Sequence, residues 1–582
     1  VSDEAVPADP GQVSGTPTWF GNPDRPLAGW WHLPAGDAVG GVVLCPPIGR
    51  DYVNAYRCYR ALAGDLAATG LAVLRFDLTG AGDSADGPSI EAPGGGVAAW
   101  LDSVIEAVSA MRDAGVTRIG LLGMRVGADL ALGAISRGAD VEAVVLWDPC
   151  TTLASWLREQ SALMRLALPN RRPVPEGATE TPGYVYPAEL KAGLGVLQAE
   201  TTQLPADLPV LGLVRPDRPA PERVVARVPA RTVWAEAAEQ EALLNVAEYD
   251  AIVPEQTMAR IVTWLGEVLS RDSAPTTVTP QSLATATVAP GGTFGAIDET
   301  FLRLGPGQLF AVLTSPERPA GPLMVLLNNG AEHHVGPSRL WVELARTWAA
   351  LGLRTLRLDL SGIGDSPPRP GWEPGVVYAP HGVDDAVEAV RLVQPDAPAD
   401  VVLAGLCSGA FTAERAGQVL GARGVALLNP TPWGEIVLLG VAAGQDESGT
   451  SAYSVEALPL AVRIRKQVKV YGRHPTLRSI REHAPQFVWA LLDRAGIRAS
   501  PAAGFRSLVR GGTQVMLVFG DEDFAPYRRQ VGRVLRRLVG TGRLELVRIS
   551  DLDHALLASV PRREAVDALT ATVTNWWAAP QG

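Results

Sequence analysis

The sequence is poor in cysteine, has no surplus of basic charge and contains no long apolar run, and each shortage excludes a class of protein. Four cysteines in 582 residues, Cys45, Cys58, Cys150 and Cys407, with no CxxC pair among them, exclude a disulfide framework. A reducing cytoplasm is the expected compartment. Lysine and arginine total 51 against 62 aspartates and glutamates, a net charge of -11. That balance speaks against a nucleic-acid partner or an anionic membrane surface, both of which need concentrated positive charge. No segment reaches the roughly 18 apolar residues of a membrane helix. Residues 1–12 show no basic start followed by an apolar run, so no signal peptide is expected there, and the opening Val1 leaves an upstream leader open. What is present is a chain 47% hydrophobic and 19% charged, long enough for two large domains with a core each.

An internal repeat organises the chain. The run Leu74-Arg75-Phe76-Asp77-Leu78-Thr79-Gly80-Ala81-Gly82-Asp83-Ser84 reappears 282 residues later as Leu356-Arg357-Leu358-Asp359-Leu360-Ser361-Gly362-Ile363-Gly364-Asp365-Ser366. At the same offset of 282, Gly123-Met124-Arg125-Val126-Gly127 falls on Gly405-Leu406-Cys407-Ser408-Gly409. Chance does not hold register through two motifs. In each copy, apolar strands of four to six residues alternate with amphipathic helices, which predicts an α/β fold built on a mostly parallel sheet covered on both faces. Residues 272–295, rich in Thr, Ala, Pro and Gly, are expected to be a linker between domains at 13–271 and 296–580. Within each copy a helical insertion, about 151–204 and about 431–511, interrupts the alternation. In a doubly wound sheet such an insertion lies over the carboxyl ends of the strands, so both are expected to be lids. Tyr471 and His474, with Lys466 and Lys469, are the second lid's candidates for substrate contact.

Gly405-Leu406-Cys407-Ser408-Gly409 stands between a strand and a helix, the context of a nucleophile elbow. Cys407 is at its centre. Ser408 lacks glycines two before and two after it, which argues against Ser408 as the nucleophile. A thiol there would draw on the helix N-terminus and a nearby imidazole to become a thiolate. Downstream, one strand ends in Gly520-Asp521-Glu522-Asp523 and the next in Ser550-Asp551-Leu552-Asp553-His554. The order nucleophile, acid, histidine is that of a hydrolase elbow protein. His554 is the predicted base and Asp523 the predicted acid, with Asp521 as the competing choice. The loop Asn328-Asn329-Gly330-Ala331-Glu332-His333-His334 is placed to supply an oxyanion donor, Gly330 or Ala331, opposite the Ser408 backbone N–H. Asn329 is a candidate substrate contact. The adjacent His333 and His334 point apart and have no partner at ligand spacing, so neither a metal nor another cofactor is expected.

On these motifs both halves resemble the α/β-hydrolase superfamily, in particular its serine-aminopeptidase-like and acyltransferase-like branches. The resemblance implies two tandem α/β-hydrolase domains, each with a helical lid. The departure is Cys407 where Ser is usual. Among similar proteins a cysteine at the elbow occurs in dienelactone hydrolases, in polyhydroxyalkanoate synthases and in acyl-shuttling enzymes of nonribosomal peptide and polyketide pathways. An acyl-Cys exchanges with thioesters at little energetic cost, so acyl transfer on thioester-activated substrates of biosynthetic or secondary metabolism is the expected reaction. Hydrolysis of an ester, lactone or amide is the alternative, and a non-catalytic interaction protein the third. The expected partner is a small acyl substrate, presented on a carrier protein or coenzyme A, and a homodimer is compatible.

The first copy reads as degenerate. Arg125 occupies the nucleophile position and cannot form an acyl intermediate. Asp217 or Arg218 occupies the acid position, and Glu241 falls where His554 stands. An Arg125–Glu241 ion pair is the expected relic, with recognition of a carboxylate or phosphate by Arg125 as the alternative.

Overall fold

The computed structural model describes residues 15–87, 95–246, 250–271, 273–431 and 501–578. Packing divides the chain into two compact units, residues 1–169 with 173–301 and residues 170–172 with 302–582.

The first sheet contains β1 (Thr16–Phe20), β2 (Leu27–His32), β3 (Gly40–Cys45), β4 (Leu71–Phe76), β5 (Ile119–Met124) and β6 (Ala143–Trp147). A short hairpin of β7 (Thr179–Thr181) and β8 (Tyr184–Tyr186) stands apart, and β9 (Val210–Val214) and β10 (Val233–Glu236) complete the sheet. Its order is β1-β2-β4-β3-β5-β6-β9-β10. β2 pairs antiparallel with β1 and β4, and the neighbours from β4 onward are parallel. The connecting helices are α1 (Arg50–Ala68), α2 (Gly95–Asp113), α3 (Val126–Ser136), α4 (Leu153–Ala167), α5 (Ala188–Glu200), α6 (Glu222–Val225), α7 (Gln240–Leu244) and α8 (Glu255–Ser270).

The second sheet repeats this plan with one extra edge strand. It runs β11 (Thr285–Gly292), β12 (Gly295–Leu304), β13 (Leu309–Pro316), β15 (Thr355–Leu358), β14 (Leu323–Leu327), β16 (Val401–Leu406), β17 (Gly424–Leu428), β18 (Gln514–Phe519) and β19 (Leu544–Arg548). β13 is antiparallel to β15, and all pairs from β15 to β19 are parallel. Its helices are α9 (Leu340–Ala350), α10 (Gly382–Val393), α11 (Ser408–Leu420), α12 (Pro501–Arg510), α13 (Asp521–Val539) and α14 (Ser559–Ala578).

The unbroken apolar strands are explained by two-sided burial. In β14, Leu323, Val325 and Leu327 pack into one core while Met324 and Leu326 pack into another, as alternating side chains must. β3 divides the same way, Val43 and Cys45 against Val42 and Leu44.

The elbow of each unit depends on its glycines. A Cβ on Gly405 would lie 2.2 Å from the carbonyl carbon of Gly409, and one on Gly409 would lie 2.6 Å from the Asn328 carbonyl oxygen. Gly123 and Gly127 meet the same limits, at 2.2 Å from the Gly127 oxygen and 2.6 Å from the Pro46 oxygen. Strand, helix and neighbouring strand end can approach this closely only without side chains.

Between β6 and β9 the chain leaves the alternation as α4, the β7–β8 hairpin and α5, within the stretch expected as the first lid. Residues 432–500 of the second expected lid, with Lys466, Lys469, Tyr471 and His474, lie outside the described residues. The expected linker is corrected: residues 285–292 of it form β11, paired antiparallel with β12. Thr276 also exchanges backbone hydrogen bonds with Ala38 at 2.8 and 2.9 Å, and the Leu283 carbonyl accepts from Trp19 N–H at 2.8 Å. Threonine and valine in this stretch suit a strand better than a free spacer, which the low charge alone did not reveal. Among the described residues no helix is long and apolar enough to cross a membrane.

Candidate active site

Cys407 caps the N-terminus of α11 with φ 53 and ψ -109, a backbone conformation a side chain rarely adopts. Its N–H donates to the Leu428 carbonyl at 3.1 Å, which ties the elbow to the end of β17. Asp523 lies in the first turn of α13, and its Oδ1 is 2.8 Å from Nδ1 of His554. His554 is the neighbour that does most to lower the Cys407 thiol, ahead of Tyr378 and Thr431. His554 thus stands between Asp523, which it touches, and Cys407, to which it is electrostatically coupled. Asp521, the competing acid, turns away to Arg548 at 2.5 Å and is half exposed.

The electrostatics follow from that arrangement. Hydrogen bonds to Asp523 and then to Cys407 push the His554 imidazole up to about 10, against the opposing effect of burial. Burial pulls the Cys407 thiol upward, but the bond and charge of His554, followed by Tyr378 and Thr431, outweigh it and leave the thiol below its ordinary value. A thiolate–imidazolium pair is the arrangement these shifts favour. The Tyr378 hydroxyl is 3.4 Å and the Thr431 hydroxyl 3.7 Å from the sulfur.

The oxyanion candidates meet as well, with a complication. The Gly330 N–H donates to the Ser408 side-chain hydroxyl at 2.8 Å, so a substrate oxygen must displace that hydroxyl to use this donor. Ala331 follows in the same turn, which the Glu332 N–H closes on the Asn329 carbonyl at 3.1 Å. The Asn329 amide is committed to the Glu332 carboxylate at 2.9 Å. A small cleft opens beside this turn, lined by Gly330, Ser408, Tyr378, Leu360, Ile363 and His381 among others.

Sequence reasoning missed Asn429. It follows β17, is fully buried, and its side chain joins both functional loops: its amide donates to the Asp553 and His554 carbonyls at 3.0 and 3.3 Å, and its oxygen accepts from Gly520 N–H at 3.0 Å. Asp553 in turn accepts from the N–H groups of Ala555, Leu557 and Ala558, which shapes the histidine loop. A lone Asn at a strand end carries no motif that announces this role.

His334, Asp359 and Asp365 are a buried group of ligand-type side chains. Asp359, however, already accepts from Asn328 Nδ2 at 2.9 Å, His334 N at 2.7 Å and Asp365 N at 2.9 Å, with His334 Nδ1 at 2.8 Å. In the first unit Asp77 accepts from the Tyr52 hydroxyl at 2.7 Å and Asp83 N at 3.0 Å. A tyrosine closes the same turn, so the arrangement is a hydrogen-bonded staple that explains the repeated DLxGxGDS-type motif.

The first unit's elbow holds Arg125 at φ 54 and ψ -120, and the expected relic pair is corrected. Arg125 is 3% exposed and meets Asp51 at 3.4 Å, Asp148 at 3.3 Å and Glu159 at 3.2 Å. These carboxylates and Cys150 keep its guanidinium charged, although burial acts against the charge. Arg215 joins Asp148 at 2.8 Å and Arg218 reaches Glu159 at 3.6 Å. Glu241 is exposed in the first turn of α7, where Gln240 takes the inward position and accepts from Trp147 Nε1 at 2.7 Å. Asp217, also exposed, meets Arg218 at 3.8 Å. Nε, Nη1 and Nη2 of Arg125 are thus each engaged by a carboxylate.

No protein-family model and no curated protein sequence matches the chain. Among solved structures it is similar to a putative hydrolase from Agrobacterium vitis, 18% identical, covering 44% of this chain and 99% of that one at a TM-score of 0.30. A Xanthomonas campestris serine hydrolase without a lid is 16% identical over 49% of this chain and 97% of its own, at a TM-score of 0.28. A thioesterase domain from the curacin biosynthetic pathway is 18% identical over 48% of this chain and 100% of its own, also at 0.28. Both sheets share one strand order, with a sharp strand-to-helix elbow after a central strand, so both are α/β folds on a mostly parallel sheet.

Proposed function

We propose that the second unit catalyses acyl transfer through a covalent acyl-Cys407 intermediate, with His554 as the proton carrier and Asp523 orienting it. The observation that carries this reading is His554, hydrogen-bonded to Asp523 at 2.8 Å and electrostatically coupled to a Cys407 thiol that sits at an elbow and a helix N-terminus. The Cys407 thiolate attacks the carbonyl carbon of a thioester donor. The sulfur–carbon bond forms, the donor's carbon–sulfur bond breaks, and the departing thiolate takes the proton of the His554 imidazolium. An acceptor nucleophile then loses its proton to His554, attacks the acyl-Cys and releases the Cys407 thiolate. Backbone N–H groups of Ser408 and of the 330–331 turn support the oxyanion in both steps.

Transfer is favoured over an ordinary ester hydrolysis because an acyl-Cys is nearly isoenergetic with its thioester donor. Hydrolysis keeps one observation of its own: the His554 side chain is 47% exposed, so water reaches the base. Under this reading the first unit is a non-catalytic copy, and the acyl group arrives on a carrier protein or coenzyme A in the cytoplasm. The test is intact mass of the protein after exposure to a panel of acyl and aminoacyl thioesters, beside Cys407→Ala and Cys407→Ser. A mass gain equal to the acyl group, absent from Cys407→Ala, is expected. A gain that persists in Cys407→Ala would overturn the assignment.

A further inference from the structure

Tyr378 has φ 61, in the left-handed region that bulky side chains avoid. Such strain persists where the surroundings over-determine it, and it clusters at functional sites. Two contacts define the side chain. Its ring packs edge-on against Phe411 at 5.7 Å between centroids, and its hydroxyl lies 3.4 Å from the Cys407 sulfur. Phe411 belongs to α11, the helix that Cys407 caps, so both contacts fix the ring against the elbow. The ring also forms part of the wall of the cleft, beside the oxyanion candidates Gly330 and Ser408.

We infer that Tyr378 is a further catalytic residue, whose hydroxyl donates a hydrogen bond to the Cys407 thiolate and holds the nucleophile as an anion at the edge of the cleft. The inference rests on the acyl-Cys reading above. Burial and the neighbouring Cys407 raise the phenol well above its ordinary value, so it keeps its proton and acts as a donor, not as a base. His554 also favours the thiolate form, and Thr431 adds a longer contact at 3.7 Å. When the sulfur becomes a thioester it is a far weaker acceptor. The Tyr378 O–H is then released toward the acyl oxygen or the incoming nucleophile without any proton leaving the phenol.

A donor on a thiolate has two opposed effects. It raises the thiolate fraction about tenfold for each unit of pKa it removes, but it lowers intrinsic nucleophilicity about threefold for the same unit, given a Brønsted coefficient of about 0.4–0.5. A hydrogen bond to a charged group is worth about one such unit or somewhat more. The experiment is the pH dependence of Cys407 alkylation by iodoacetamide, followed by intact mass in wild type, Tyr378→Phe and His554→Ala of the full chain. The other three cysteines are buried, so the label reports on Cys407. Tyr378→Phe keeps the ring on Phe411, and its midpoint is expected about one pH unit higher. It reacts about threefold slower than wild type on the acid side and about threefold faster on the alkaline plateau, so the two profiles cross. A merely structural loss moves both limbs the same way. Replacement of Tyr378 by 3-fluorotyrosine, a stronger donor, is expected to move the midpoint down. Superimposable wild-type and Tyr378→Phe profiles, with His554→Ala displaced, would overturn the Tyr378 assignment alone. If wild-type Cys407 resists the reagent, or His554→Ala leaves the profile unchanged, the acyl-Cys reading itself fails.

Discussion

Replacing Arg125 by Met tests whether the first unit's elbow is held by its ion network. Arg125 faces Asp51, Asp148 and Glu159 at 3.2–3.4 Å, and the first two carboxylates are buried. Removing one partner of a buried pair costs about 3–5 kcal/mol, because the opposite charge stays behind without compensation. Arg215 remains on Asp148 at 2.8 Å, and Trp156 Nε1 still donates to Asp51 at 2.9 Å, so the lower half of that range is expected. In a unit of this size that corresponds to about 6–16 °C in the first unit's thermal transition. The pH dependence identifies the cause. Burial already holds the Asp148 carboxyl above its ordinary value while Arg125 and Arg215 oppose it. Without Arg125 the folded carboxyls bind protons more readily than the unfolded ones, so the variant's deficit shrinks as pH falls toward 5. Calorimetry or urea unfolding at pH 5 and 8 reads both quantities. A deficit below about 1 kcal/mol, or one that grows on acidification, would refute the network as the organising feature.

Two other perturbations address the second unit. Asp523→Asn removes the first-ranked support for the raised His554 imidazole, so the pH window in which thiolate and imidazolium coexist, which now extends up to about 10, contracts from its alkaline side. Acyl-adduct formation is expected to fall at least tenfold while Asp521→Asn changes it less than twofold; equal losses in the two would show that the acid is misassigned. Asn429→Ala removes three hydrogen bonds that join the loops of Gly520 and His554. It is expected to slow acylation by an order of magnitude or more through misplacement, with the thiol still open to a small alkylating reagent. Rapid acylation by Asn429→Ala at the wild-type rate would remove Asn429 from the positioning machinery.

What the sequence disclosed, and what it did not, divides along the repeat register. The offset of 282 holds through Asp77 and Asp359, Arg125 and Cys407, so sheet order, staples and elbows were legible from motif spacing alone. It slips by one at the next strand end, where Asp148 and Asn429 occupy the same place 281 residues apart. Beyond that point the insertions differ in length and alignment by spacing loses its footing. Glu241 was therefore matched to His554 by a short local string, while Gln240 faces inward. Asp523 and His554 were picked out because each follows a strand end, and their side chains meet at 2.8 Å. Tyr378 was hidden for a different reason: it sits in an irregular stretch before α10, where no periodicity applies and only three-dimensional closeness gives the hydroxyl its meaning. β11 was concealed by composition, since Thr, Ala and Gly serve a strand edge and a loose spacer equally well.

The Arg125 elbow has nearly the torsion angles of Cys407, 54 and -120 against 53 and -109, with an arginine in place of the thiol. The costly backbone bend is thus a property of how the glycines and strands close on one another, and selection for a nucleophile is not required to maintain it. Restoring a cysteine at position 125 would return the bend to use, yet it would set a thiol among Asp51, Asp148 and Glu159, whose negative charge opposes thiolate formation. The acidic ring around position 125 suits a guanidinium and disfavours a thiolate.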